Sequence, residues 1–135
     1  MKQQMQIRLA PTVAAFAMTG LCGCHQKPPP VATPADVVAA QQEAKHEVEQ
    51  AQVEAKRDVK SAAKVMGVDS KDVARARITG AFDIAMAHAD GEHKVAIEKC
   101  MTLAPSAQQP CKDNADTDYQ SAVAKAKAAR ISQQQ

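Results

Sequence analysis

From residue 34 onward apolar positions recur every three or four residues, and nowhere does the chain alternate with period two. Ala44, Val48, Ala51, Ala55, Val59, Ala62 and Met66 follow spacings of 4, 3, 4, 4, 3 and 4. This eleven-residue repeat lays one narrow apolar stripe along a long helix. Its start is marked by Thr33 as a cap, Pro34 at the first helical position and Asp36 three residues past the cap, the arrangement of a capping box. Gly67 is the expected stop, with Val68 placed for the apolar contact that follows a glycine C-cap. Asp69 or Ser70 can cap a second helix, whose inner face is Ile78, Phe82, Met86, Ala89, His93, Ala96, Cys100 and Leu103. Gly80 and Gly91 weaken it by about 1 kcal/mol each relative to alanine, and Asp90-Gly91 is a candidate break. Ala104-Pro105-Ser106 ends that helix, and a third is expected to start between Ser106 and Pro110, with Cys111, Ala115, Tyr119, Ala122, Ala126 and Ala129 on its stripe. The pattern predicts an all-α protein of long helices: one amphipathic helix over 34–67 and a helical hairpin over 68–135.

The segment before residue 34 reads differently. Lys2 and Arg8 precede a run from Leu9 to Met18 broken only by Pro11 and Thr12, and no acidic residue occurs there. A basic start followed by about ten apolar residues suits an export signal and falls short of the roughly 20 that span a bilayer. Leu21-Cys22-Gly23-Cys24 follows, with an aliphatic residue, a small residue and a cysteine in the spacing that resembles the bacterial lipobox. The resemblance selects Cys24, because cutting before Cys22 would put Leu21 where a small residue is needed. It implies a signal peptide over 1–23, and a Cys24 that carries lipid on its thiol and on its new amine. At roughly 0.8 kcal/mol per buried methylene, three acyl chains hold a protein to a membrane permanently. His25, rather than aspartate, follows the cysteine. By the enterobacterial sorting rule this implies the outer membrane, with the protein facing the periplasm, rather than the inner membrane. Four of the seven prolines lie between Gln26 and Pro34, so 24–33 reads as an extended tether at about 3.1 Å per residue.

Loss of residues 1–23 changes the charge balance. Lys2 and Arg8 leave with them, so 15 basic side chains face 15 acidic ones and the formal net charge is zero. The sequence pI of 8.4 therefore does not mark a nucleic-acid binder, since phosphate neutralisation requires a basic excess. Two Phe, one Tyr and no Trp make a large core improbable, and alanine is by far the commonest apolar residue. Small side chains favour helices lying close together. In the first helix acidic residues Asp36, Glu43, Glu47, Glu49 and Glu54 precede basic Lys56, Arg57, Lys60 and Lys64, the order that complements a helix dipole. These charges read most simply as a solvated face.

Cys100 and Cys111 lie on the inner stripes at the two ends of the predicted hairpin loop, and an exported protein meets an oxidising compartment. They are expected to pair. If they face each other, antiparallel partners add to 211, which sets Ala96 near Ala115, His93 near Asp118 and Tyr119, Ala89 near Ala122, Met86 near Ala126 and Phe82 near Ala129. Every large residue then meets a small one, or His93 meets a hydrogen-bonding group. His93, Asp118 and Tyr119 form the expected structural contact of the hairpin.

Residues 93 to 128 carry Lys94, Val95, Ala96, Glu98, Lys99 and Cys100, then Cys111 and Lys112, ahead of an alanine-rich helix. This segment resembles small alanine- and lysine-rich exported proteins of proteobacteria in which a KVA-x-EKC run precedes a second cysteine. The resemblance covers about a quarter of the chain and implies the hairpin without implying a chemistry.

No glycine-rich phosphate loop or serine elbow occurs, and oxidised cysteines leave no Cys/His nucleophile. His88, Asp90, Glu92 and His93 crowd one segment, but the two histidines are five residues apart and point to different faces, whereas zinc takes three or four converging ligands. No catalytic residue, metal or cofactor is expected. The expected role is a non-enzymatic, lipid-anchored envelope protein that acts as a structural spacer or binds a helical protein partner or a second copy, with no nucleic acid and no small-molecule substrate. The alternative is an envelope metal or redox sensor using His88, Glu92 and His93, or the cystine.

Overall fold

The computed structural model describes residues 31–64 and 69–135. Three long helices make up this part: α1 (Pro34–Lys64), α2 (Ser70–Met101) and α3 (Pro105–Ser132). The proposed signal peptide, Cys22 and Cys24, the tether up to residue 30, and Met66, Gly67 and Val68 lie outside the described residues.

The capping box at the start of α1 forms in both directions. The Thr33 backbone N–H and hydroxyl donate to Asp36 Oδ2, each at 2.7 Å, and the Asp36 N–H donates back to Thr33 Oγ1 at 3.4 Å. These hydrogen bonds from Thr33 hold the Asp36 carboxyl below its ordinary pKa. Asp69 caps α2 by accepting from the Lys71 N–H at 3.2 Å.

The α2–α3 turn is tighter than the sequence suggests. Helix α3 begins at Pro105 itself, not between Ser106 and Pro110, so only Thr102, Leu103 and Ala104 connect the two helices. Pro105 has no N–H to leave unsatisfied and its φ is already helical, so it starts α3 as readily as it ends α2. Pro110 is then tolerated inside the exposed second turn. Gln108 covers the end of α2, its amide donating to the Met101 and Leu103 carbonyls. Leu103 thus belongs to the turn and is exposed, rather than closing the inner stripe of α2.

Helix α2 runs unbroken through the candidate break at Asp90-Gly91. Its two glycines are points of contact. A methyl group on Gly80 would sit 2.6 Å from the Ala55 side chain, and one on Gly91 would sit 2.7 Å from that of Ala44. Both pairs are eleven residues apart on both helices, so α1 and α2 pack antiparallel in one register along the predicted α1 stripe. Val37, Ala40, Ala44, Glu47, Val48, Ala51, Ala55, Val59 and Ala62 are the covered positions of α1, and every other described residue of that helix is exposed.

The α2–α3 seam uses another face. Phe82, Met86, Ala89, His93, Ala96 and Cys100 meet a stripe that includes Cys111, Ala115, Tyr119, Ala122 and Ala126. Ala129, expected opposite Phe82, is exposed; the Arg130 guanidinium lies over the Phe82 ring instead, 4.9 Å from its centroid. A methyl covers little of a ring at a fraying helix end, whereas a long cationic side chain can lie flat on it.

Helices α1 and α3 both pack on α2, and they do not touch each other. The described residues form a layer one helix thick with α2 in the middle, about 48 Å long at 1.5 Å per residue over the 32 residues of α2. Its buried residues are all small: Ala40, Gly80, Ala89, Gly91, Cys100, Ala115 and Ala126. Close approach of backbones substitutes for a core of bulky side chains.

Candidate functional site

Cys100 and Cys111 form a disulfide, with Cα atoms 5.5 Å apart, at the closed end of the α2–α3 hairpin. Cys100 is the most deeply buried side chain described. Two turns further along, His93 and Tyr119 face each other with ring centroids 4.8 Å apart and planes tilted by 32°. Small residues on either side, Ala89, Ala96, Ala115 and Ala122, leave the space that the two rings occupy, beside a cleft of about 190 Å³.

The hydrogen bonds of this ring pair differ from those expected. His93 Nε2 donates to Asp116 Oδ1 at 2.6 Å, not to Asp118 or the tyrosine, and the Tyr119 hydroxyl donates to Asp90 Oδ1 at 2.7 Å. Asp118 lines the neighbouring cleft. The reason is helical geometry. A register fixed at the cystine sets which residues lie at the same height, but not which way they face. Asp116 is three residues from Tyr119 and shares its face, whereas Asp118 is one residue away and is turned aside by about 100°. Both observed pairs are displaced by two residues from the register of the cystine. The Asp90 carboxylate, by accepting a hydrogen bond from the protonated phenol, pushes the Tyr119 pKa above its ordinary value, with desolvation adding to the effect.

A second polar link joins the other pair of helices. Lys94 Nζ donates to Glu43 Oε1 and to Glu47 Oε1, each at 3.0 Å, and so bridges two carboxylates one turn apart on α1. Hydrogen bonds to Glu43 and then Glu47 raise the Lys94 pKa. The sequence reading assigned Glu43 and Glu47 to a solvated face. Their i, i+4 spacing was the available signal, but nothing along the chain named the cation from α2.

The crowded segment 88–93 is divided by the fold. His93 turns to α3 and is largely covered, His88 and Glu92 are exposed, and Asp90 is engaged by Tyr119. Among the described residues no three His, Cys, Asp or Glu side chains are grouped to hold a metal ion. No helix among them is long and apolar enough to cross a membrane.

One groove is distinctly apolar. It runs along the α1–α2 seam, encloses about 550 Å³, and is lined by Gln52, Ala55, Lys56, Val59, Lys60, Ala63, Arg77, Ala81 and Ile84. It lies in the half of the layer remote from the cystine. At the level of Glu49, Met86 and Lys125, the cystine half holds ten of the fifteen acidic residues, and the other half holds nine of the fourteen lysines and arginines that follow residue 30. The balanced charge of the sequence is therefore separated in space along the layer.

No protein-family model, curated protein or solved structure matches the chain.

Proposed function

We propose that this chain is a lipid-anchored envelope protein that acts without catalysis, as a spacer or as a module that binds partners through its helix faces. The observation that carries the reading is the order of parts: a Leu21-Cys22-Gly23-Cys24 run, a proline-rich tether, and a capping box at Thr33 that starts the helical layer. With Cys24 acylated, the tether hands over to a stiff element at one defined residue. An extended tether followed by a layer of about 48 Å reaches well clear of a lipid surface. The outer membrane, facing the periplasm, is the location that His25 after the cysteine supports.

The test is acylation in cells. Cys24→Ser is expected to leave an unprocessed precursor that takes up no radioactive fatty acid, whereas Cys22→Ser is processed and labelled normally. Labelling of Cys24→Ser at the normal level would overturn the reading. Metal titration of the purified protein separates it from a sensor: tight zinc binding lost on substitution of His88 or His93 would favour the sensor.

A further inference from the structure

We propose that the groove between α1 and α2 binds an anionic phospholipid, with acyl chain on its floor and phosphate at its rim. The floor is Ala55, Val59, Ala63, Ala81 and Ile84, and the rim carries Lys56, Lys60 and Arg77. Among the described residues no acidic side chain lines it, although the chain as a whole has nearly equal numbers of both signs. Among the described residues these three cations make no ion pair or hydrogen bond with a neighbour, unlike Lys94, Lys45 and Arg75. They are exposed and long enough to reach outward while their stems cover the apolar floor.

Charge and shape together favour a lipid over a protein. Polar recognition of a peptide needs directional partners, and Gln52 is the only uncharged polar side chain in the lining. A docked helix needs pockets for large anchors. Three of the five floor residues are alanines, and Ala55 sits hard against Gly80, so the floor is shallow and smooth. From Gln52 to Ala63 the groove is roughly 17 Å long, a track for a flexible chain. The surrounding half of the layer, with nine lysines and arginines against five acidic residues, adds a basic field that draws a negative headgroup.

The experiment uses the full chain with Cys22→Ser and Cys24→Ser, so that acylation plays no part, and Ala63→Cys carrying an environment-sensitive dye at the groove. A second protein carries the dye at Val38→Cys, on the acidic half. Vesicles of phosphatidylcholine alone, or mixed with phosphatidylglycerol, are the probe. Expected is a blue shift at position 63 with phosphatidylglycerol only, weakened by salt, and no shift at position 38. Each cation near an anionic surface contributes roughly fivefold to binding, so Lys56→Glu, Lys60→Glu and Arg77→Glu together should weaken it by at least about a hundredfold, since reversal adds repulsion to the lost attraction. Lys56→Arg and Lys60→Arg should retain it, and circular dichroism checks that the charge-reversed protein is folded. An equal shift with neutral vesicles, no shift with either, or retention of binding in the folded triple variant would overturn the proposal. So would a shift that grows with protein concentration in the absence of vesicles, which would assign the groove to a second copy. Because Cys24 is absent throughout, failure here leaves the acylation test untouched.

Discussion

Gly91 of α2 lies so close to Ala44 of α1 that a methyl group added to the glycine would stand 2.7 Å from the alanine side chain and 3.3 Å from its backbone. No rotamer relieves such a contact, because neither side chain has one. Gly91→Ala gains about 1 kcal/mol of helix propensity but requires the two helices to separate, at a cost of about 1 to 3 kcal/mol. The variant is expected to be less stable than the parent in urea, although alanine is the better helix former. A more stable Gly91→Ala protein would mean that the seam is looser than described.

The His93 pair gives a differential prediction. His93→Ala removes ring packing on Tyr119 and leaves Asp116 without its donor, for an expected loss of about 1 to 2 kcal/mol. His88, which is exposed, should be nearly neutral when replaced by alanine. Asp116→Asn should lower stability more than Asp118→Asn. Chemical denaturation of the four variants reads all of these, and equal losses at 116 and 118 would contradict the observed partner.

Tyr119 is the chain's one tyrosine and there is no tryptophan, so phenolate absorbance reports this site alone. Its pKa is expected above the ordinary value of about 10, and Asp90→Asn should bring it down. The sign for stability follows from linkage. A raised folded-state pKa favours the fold below the unfolded pKa, and that contribution disappears as pH rises through the folded value. Melting temperature should therefore fall in that alkaline range less steeply in Asp90→Asn than in the parent.

Mapping of a nonreduced digest is expected to return the Cys100–Cys111 peptide pair. With its ends eleven positions apart, the link should contribute roughly 3 kcal/mol, the stability that Cys100→Ser with Cys111→Ser would lose. Free alkylation of both thiols without reduction would contradict the fold at its closed end.

What could be read from the chain was what depends on local spacing. The α1 stripe, the Thr33–Asp36 box, the Asp69 cap and the cystine at matching ends of two stripes are all set by residues a few positions apart or by like features on neighbouring helices. The α1-facing side of α2 could not be read, because its closest contacts are made at Gly80 and Gly91. Along a sequence these are helix-weakening residues, and only a second backbone brought against them gives them a purpose. The start of α3 was misplaced because Pro105 ends one helix and begins the next. Asp116 was passed over for Asp118 because matching heights along two helices does not match their faces. Lys94 was invisible as a link for a similar reason: its partners are some fifty residues away, and charge alone does not say which of several lysines will reach them.

Since α1 and α3 share no contact and meet only through α2, the molecule has two interfaces in series and no common centre. Its energetics are those of a short linear array, in which stability is the sum of nearest-neighbour terms and each end unit can detach alone. The two ends are unequal. Helix α3 is covalently pinned, while α1 packs on α2 without a covalent link, through Val37, Val48 and Val59, alanine–glycine contacts and one bridging lysine. Release of α1 would uncover one side of α2 and leave the pinned hairpin standing, so the amide hydrogens of α1 are expected to exchange with solvent before those at the cystine end of the hairpin.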